Sequence, residues 1–354
     1  MIVKNESAVI ERCLASLRDH IDAWVIVDTG STDDTMDKIR ASLKGIPGAL
    51  HQREWRNFGS NRSEAAALAY ESGCDYFLFF DADDVLLAPQ GFAWPDLTDH
   101  VYELTLVYGN YQYARASLVS SKLHWRWIGV LHEYPESTPA ATSRNALSEP
   151  KIKASTEGAR SSDPLKYQRD AEALEQGLRD EPDNTRYMFY LAQSYRDAAL
   201  LDKALLAYEH RASAGGWDEE VWRSLLEAAR LTERLARPHE EIVAAFLRVY
   251  VSRPTRAEPL ADLARVMRLK DQFSQAYVYA KLAATLPFPR DRLFVEATCY
   301  TFTAHDELAI AAYWVGRFAE CKAICDDLLL NKAAPAQDIA RVMANRDFAA
   351  EKLR

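Results

Sequence analysis

The chain has 354 residues, 48% of them hydrophobic, and a formal net charge of −9. That length predicts about two domains, each large enough to bury a core. The acidic balance excludes bulk affinity for nucleic acid or an anionic membrane, since both need a basic face.

"MIV" opens the chain as a short apolar strand. "NESAVIERCLASL" then places Val9, Ile10, Cys13, Leu14 and Leu17 on one helical face, with Ser7 as the expected N-cap. "AWVIVDTG" is a continuous apolar run, as in a buried parallel strand. A helix over "STDDTMDKIRASL", a strand at "ALHQREW", a helix over "SNRSEAAALAYESG" and a strand at "DYFLFFDADD" follow. This β-α-β-α-β-α-β order predicts a doubly wound sheet covered by helices. Ligands of such sheets bind at the carboxyl ends of the strands. Asp28, residues 57–62 and residues 81–84 all fall there.

Over residues 92–133 the pattern becomes one of hairpin strands, ending in the Trp- and His-rich "SKLHWRWIGVLHEY". "PESTPAATSRNALSEP" reads as an exposed loop or flap. From about Asp163 the pattern is helical and repeats. Residues 190–210, 262–283 and 308–329 align, with Leu201, Phe273 and Phe318 matched. Ala204, Ala276 and Cys321 match three residues later, and Ala192, Ala264 and Ala309 match in the preceding helix. A weaker copy lies at residues 221–235. Large residues at one place and small ones at another let paired helices nest, and the pattern resembles the tetratricopeptide repeat.

The stretch "DADD" sets three carboxylates within four residues after the most apolar strand. Alternate aspartates there can hold a hard divalent cation, which bridges a diphosphate and neutralises it as it leaves. The order and spacing of "MIVKNE", "VDTGSTDDT", "NFGSNRSEA" and "DADD" resemble glycosyltransferase family 2, with its GT-A nucleotide-sugar-binding fold. The likeness covers about residues 1–133. Relatives carry residues ahead of "MIVKNE", so either the first strand is short or its start lies upstream.

The resemblance implies roles by position. Val3, Lys4 and Glu6 would line the nucleoside, and Asp28 would accept a hydrogen bond from the base, most often uracil. Asn61 and Arg62 would lie near the base or diphosphate. Asp81 would face ribose and metal, Asp83 would ligate the metal, and Ala82 between them belongs to the same nucleotide-sugar set. Asp84 is expected only to shape the loop. In "HWRWIGVLHE", Glu133 is the expected base that deprotonates the acceptor. His132 would be a third metal ligand or touch the diphosphate, and Trp125 and Trp127 would stack on a sugar. Arg160 would close over the diphosphate.

The expected architecture is α/β followed by all-α: a GT-A (Rossmann-like) domain over 1–160 and a tetratricopeptide-like solenoid over 161–354. The expected activity is metal-dependent, inverting sugar transfer from a UDP-sugar, using Mn²⁺ or Mg²⁺. The acceptor would be a peptide or protein held with help from the repeats, and a homodimer is a further expectation. The competing expectation is a protein-binding scaffold with a degenerate transferase domain, against which the intact DADD and HE segments argue. No apolar run approaches the roughly 20 residues of a membrane span, and no basic-then-apolar leader opens the chain. A reducing cytoplasm is therefore the expected location. The five cysteines lack zinc-ribbon spacing and are expected as small core residues.

Overall fold

The computed structural model describes residues 1–108, 111–291 and 293–354, and divides the chain into two units, Met1–Pro182 and Asp183–Arg354. The division expected at 160/161 would have put helix α4 (Lys166–Asp180) with the repeats. It groups instead with the first unit.

The opening elements have their predicted order: β1 (Ile2–Val3), α1 (Ile10–Leu17), β2 (Trp24–Asp28), α2 (Thr35–Ser42), β3 (Gly48–Gln52), α3 (Phe58–Ala69) and β4 (Tyr76–Leu78). β1, β2 and β3 pair in parallel, with Val3 opposite Asp28 and Asp28 opposite Gln52. The single doubly wound sheet expected from the alternation stops there. β4 pairs antiparallel with β7 (Tyr111–Ser120) and begins a second sheet. Its order is β4-β7-β6-β10-β5, with β5 at Val85–Leu87, β6 at Val101–Tyr108 and β10 at Arg144–Lys153. A cavity of about 540 Å³, lined by Ile2, Val25, Phe77 and Phe79 among others, lies where a ladder between the sheets would run.

Helix α1 joins the two sheets instead. Its apolar side chains recur at i, i+3, i+4 and i+7, and Ile10, Cys13, Leu14 and Leu17 are all buried. Ile10 and Leu14 pack with Ile26 and Ile39 of the first layer. Cys13 and Leu17 pack with Phe80, Leu104 and Ile152 of the second. Ser7 does not cap this helix. The Glu6 carbonyl takes the N–H groups of Val9 and Ile10 (3.0 and 2.9 Å), and the Ser7 hydroxyl turns to Asp34 and Lys38.

The Pro- and Ser-rich stretch 135–150 is no flap. It supplies most of β9 (Tyr134–Thr138), paired with β8 (His124–Ile128), and most of β10, which lies between β6 and β5. Pro150 is tolerated because the β10–β6 register breaks between Leu147 and Ile152, where a missing N–H costs no ladder bond. On the other side of the unit, α3 approaches the end of β8 closely. A Cβ on Gly59 would stand 2.2 Å from the Gly129 carbonyl oxygen. One turn on, the Ser63 hydroxyl accepts from Trp127 N (2.7 Å) and donates to Trp127 O (3.3 Å).

The second unit is built of helix pairs: α5 (Thr185–Asp197) with α6 (Leu201–Ser213), α7 (Asp218–Arg234) with α8 (His239–Ser252), α9 (Glu258–Arg268) with α10 (Phe273–Thr285), and α11 (Ala304–Trp314) with α12 (Phe318–Leu330), followed by α13 (Ile339–Glu351). Leu201, Phe273 and Phe318 each begin the second helix of a pair. The six matched small residues are no more than 1% exposed, which is what lets the helices nest. Each pair turns on a left-handed residue: Ala199, Ala236, Asp271 and Gly316 have φ of 59°, 51°, 56° and 80°. The next N–H reaches back to close the turn, as from Leu200 to the Tyr195 carbonyl at 2.8 Å. Successive first helices are then tied by Arg–carboxylate pairs: Arg196–Glu227, Arg230–Asp262, Arg268–Glu307 and Arg341–Asp306, all between 2.7 and 2.9 Å. Four of the five cysteines are buried, as expected, and all five are free thiols.

Two substitutions test this packing. Gly59→Ala forces a methyl against main chain, so it should cost about 1–3 kcal/mol or more of overpacking, read as a lowered denaturation midpoint of the first unit. Ala236→Gly should stabilise the second unit by up to about 1 kcal/mol, because a Cβ in the left-handed region costs about 1–2 kcal/mol and glycine's extra unfolded freedom returns only part of that. Urea denaturation of the whole chain measures both.

Candidate functional site

Residues at the ends of β1, β2 and β4 are held by short polar contacts between loops. Asn5, at φ 56°, accepts from Thr32 N (2.7 Å), while its own N–H donates to the Ser31 hydroxyl (2.9 Å). Asp28 is fully buried at the end of β2. Its Oδ1 accepts from Gly30 N and Ser31 N, both at 3.0 Å, and so shapes the turn. Its Oδ2 is buried with no donor. An orphaned buried acceptor costs roughly 1–3 kcal/mol, so a ligand N–H at this atom would be favoured.

Beyond β4 the chain sorts its side chains by alternation. Phe80 enters the core of the second sheet and Ala82 that of the first. Asp81 and Asp83 are left for the site. Asp81 is held by Arg62 of α3 and, at 3.1 Å, by Arg115 of β7. Burial alone would raise its pKa, but the two guanidinium charges overcome this and hold the carboxyl far below the usual range. Asp84 is buried beneath, 3.1 Å from the other arm of Arg115. Burial and the Asp81 charge push it up to about 7, with Arg115 opposing. It therefore anchors Arg115 and shapes the loop.

Arg62 also reaches Glu133, with Nε 2.7 Å from Oε1, although the N–H direction misses the carboxylate. Burial would lower the Arg62 pKa, and the charges of Asp81 and Glu133 outweigh it. The guanidinium lies 4.9 Å over the Trp127 ring. Trp127, itself edge-on to Phe79, is thus a support for Arg62 before it can be a sugar platform. Trp125 is core: it is 7% exposed, packs with Phe77 and Val119, and donates its indole N–H to the Ser120 carbonyl at 2.8 Å. No sugar can stack on it.

Other expected contacts are also spent internally. Val3 and Ala82 are buried in one apolar cluster, so only their main chain can face a ligand. Lys4 is exposed. The Asn61 amide is buried, accepts from Arg56 N (2.9 Å) and donates to the Glu54 carbonyl (3.0 Å), which pins the loop before α3. Arg160 pairs with Asp170 and lies 4.2 Å over the ring of Phe58 at the start of α3. His132 has left-handed backbone (φ 53°) and an exposed side chain.

The remaining pair is Glu6 and Asp83. A Cβ on Gly158 would lie 3.1 Å from Asp83 Oδ2 and 3.2 Å from Glu6 Oε2, so both carboxylates close on this glycine. Ala159 N donates to Glu6 at 3.1 Å. Burial raises the Glu6 pKa against that bond, and the charges of Asp83, Asp33 and Asp81 add to it. Burial and Asp81 raise Asp83 in the same way. A divalent cation would relieve this repulsion, and two hard oxygen donors suit Mg²⁺ or Mn²⁺. Among the described residues no group of three or more His, Cys, Asp or Glu is placed to hold a metal. Asp81, Asp83 and His132 are therefore not gathered as a set of ligands, because Asp81 is committed to two arginines. Glu6 and Asp83 are the two carboxylates whose chemistry would suit such a cation.

Arg115 and Gly158 escaped the sequence reading. The signal for Arg115 was there: it is the one charged residue in the sequence of β7.

Residues 1–148 match the model of a family described as Glycosyl transferase family 2. Glycosyltransferase SunS of Bacillus subtilis, derived from the SPbeta prophage, is 25% identical over 230 residues, covering 57% of this chain and 49% of that one. A TPR repeat-containing protein of Synechococcus elongatus is 36% identical over 99 residues, covering 27% of this chain and 22% of that one. The chain thus spans from about a fifth to about a half of the length of the curated relatives it matches. The crystal structure of BtubC from P. vanneervenii overlays with a TM-score of 0.42 at 12% identity, covering 56% of this chain and 85% of that one. Residues 1–148 form a glycosyl transferase family 2 domain, on a chain whose second unit is built of tetratricopeptide-like helix pairs.

Proposed function

We propose that the chain is an inverting glycosyltransferase that moves a sugar from a UDP donor, with Mn²⁺ or Mg²⁺, to a peptide or protein acceptor recruited with help from the second unit. The observation that carries this reading is the pair Glu6 and Asp83, two mutually repelling carboxylates closed on Gly158 at the strand ends. The cation, when bound, supplies neutralisation of the charge that develops on the leaving diphosphate. Asp83 and Glu6 are the residues that would hold it. Asp28 Oδ2 accepts an N–H from the base. Asp81 stays ionised between Arg62 and Arg115 and faces the ribose. Arg160, stacked on Phe58 and paired with Asp170, turns its positive charge to the diphosphate by giving up that pair.

Glu133 takes the proton from the acceptor nucleophile. Arg62 lies against one of its oxygens, with Nε 2.7 Å from Oε1, and keeps the carboxylate in position for that proton. The nucleophile forms its bond to the anomeric carbon on the face opposite UDP. The bond from that carbon to the UDP oxygen breaks, and the electron pair leaves with the diphosphate. No described helix is long and apolar enough to cross a membrane, and all five cysteines are free. Both features are consistent with a reducing cytoplasm as the site of work.

Turnover of UDP-sugars with Mn²⁺ tests the reading. Glu133→Gln should lower turnover by about 10²–10⁴-fold, the usual scale of general-base loss, while UDP binding persists by calorimetry. Asp83→Asn should lose Mn²⁺-dependent UDP binding. Undiminished turnover in both variants would overturn the assignment, and absence of UDP or GDP binding with Mn²⁺ in the native chain would favour the scaffold reading. Asp28→Asn keeps an oxygen for the turn but replaces the orphan acceptor by a donor. It should leave the melting temperature unchanged or higher and weaken UDP binding by about 10–100-fold, the cost of an unmade buried hydrogen bond.

A further inference from the structure

Residues 286–298 connect α10 to the helical turn Cys299–Thr303 before α11, and are longer than the joints 214–217 and 253–257 between the preceding pairs. They do not stay with their own helices. The described residues of the segment, 286–291 and 293–298, reach α7 and the start of α9 and are held mostly by side chains of other elements. Arg253 grips Asp291 through two hydrogen bonds (2.7 and 2.8 Å), and Arg256 adds a third at 3.0 Å. Arg230 grips Glu296 through two (2.6 and 2.9 Å), and Arg223 adds another at 2.8 Å. Between the two acids, the ring of Phe294 lies nearly parallel to Phe189 of α5 at 6.4 Å and 5.5 Å from the Arg223 guanidinium. The main chain is held as well: Leu293 N donates to Glu219 at 2.6 Å, and Glu296 N to Glu258 at 3.2 Å.

Two features mark this segment as a ligand rather than a strut. Its two aromatic rings lie largely at the surface, Phe288 58% and Phe294 47% exposed, and of its described residues only the first, Leu286, packs against a buried cluster. Phe294 also has φ 46°, a conformation that costs a residue with a Cβ about 1–2 kcal/mol. The receptor, by contrast, is complete without it. Each gripping arginine has a second acidic partner in the unit: Arg223 has Glu227 (2.6 Å), Arg230 has Asp262 (2.7 Å), Arg253 has Asp218 (2.6 Å) and Arg256 has Glu258 (2.7 Å). The clamp is therefore preorganised and stays charged and oriented when the segment leaves.

We propose that residues 286–298 are a resident stand-in for an extended acidic peptide. This face of the second unit binds a partner segment bearing a carboxylate, an aromatic ring three residues on and a second carboxylate two further, in exchange for the stand-in. The inference does not depend on sugar transfer.

The test is a fluorescein-labelled synthetic peptide with the sequence of residues 286–298, added to the full chain and followed by anisotropy. Asp291→Asn/Glu296→Gln loosens the resident segment. This variant should bind the peptide at least tenfold more tightly than the native chain, and adding Arg223→Ala and Arg230→Ala should abolish the gain. A variant with native helical circular dichroism that binds no better than the native chain would overturn the proposal. Should the variant not fold, hydrogen exchange of the native chain decides. Leu293 and Glu296 amides exchanging at least tenfold faster than the cores of α7 and α9 support a separable segment, and equal protection makes it a strut and ends the idea.

Discussion

The candidate site depends on where the Arg62 guanidinium sits. It is mostly buried, touches Asp81 and Glu133, and rests on the face of Trp127. These groups come from three places in the chain: the third helix, the stretch after the fourth strand, and β8 with the loop that follows it. One cation thus couples the carboxylate expected at the donor with the one expected at the acceptor. Removing one partner of a buried ion cluster costs about 3–5 kcal/mol, because the others are left uncompensated. The same arrangement gives Arg62 a positioning role, since it sets the geometry of two carboxylates that would otherwise repel.

What places Arg62 is backbone packing rather than charge. The absence of a side chain at Gly59 lets α3 close on the Gly129 carbonyl, and Ser63 fixes the helix to the Trp127 backbone. Asn61, between them, spends its amide on the loop that leads into the helix. The motif "NFGSNRSEA" therefore works as a unit in which one residue faces the site and its neighbours hold that residue's helix. A similar division applies to "DADD": Ala82 is core, Asp84 is a buried anchor for Arg115, Asp81 is held between Arg62 and Arg115, and Asp83 closes on Gly158. The mutual repulsion of the three acids is met partly by arginines. It is left unmet at Asp83 and Glu6, where a cation would act.

The second unit uses charge differently. Its arginines tie successive helix pairs, and the same residues reach the connection that runs over α7 and α9. Groups that already carry a structural partner can take a second carboxylate without rearranging. That is how one face can serve stability and recognition together.

Periodicity alone made much of this legible. The strand and helix order to β4, the inward face of α1, and the repeat positions Ala192, Ala264 and Ala309 follow from local spacing, because burial of one face imposes a period of 2 or 3.6 on the residues. The small residues at the helix crossings were visible because close packing allows nothing larger. Asp28 and the "DADD" carboxylates could be located at strand ends, since chain order alone puts them there. Long-range partners left no local trace. That Trp125 is core while Trp127 supports Arg62, that β4 joins the second sheet, and that a Pro-rich stretch becomes β10 were decided by which surfaces met in the fold. Sequence by itself determined which residues could be buried or charged. Tertiary structure decided which charges met, because the pairing of Arg62, Arg115 and Gly158 with the acids is set by contacts between segments up to about 150 residues apart.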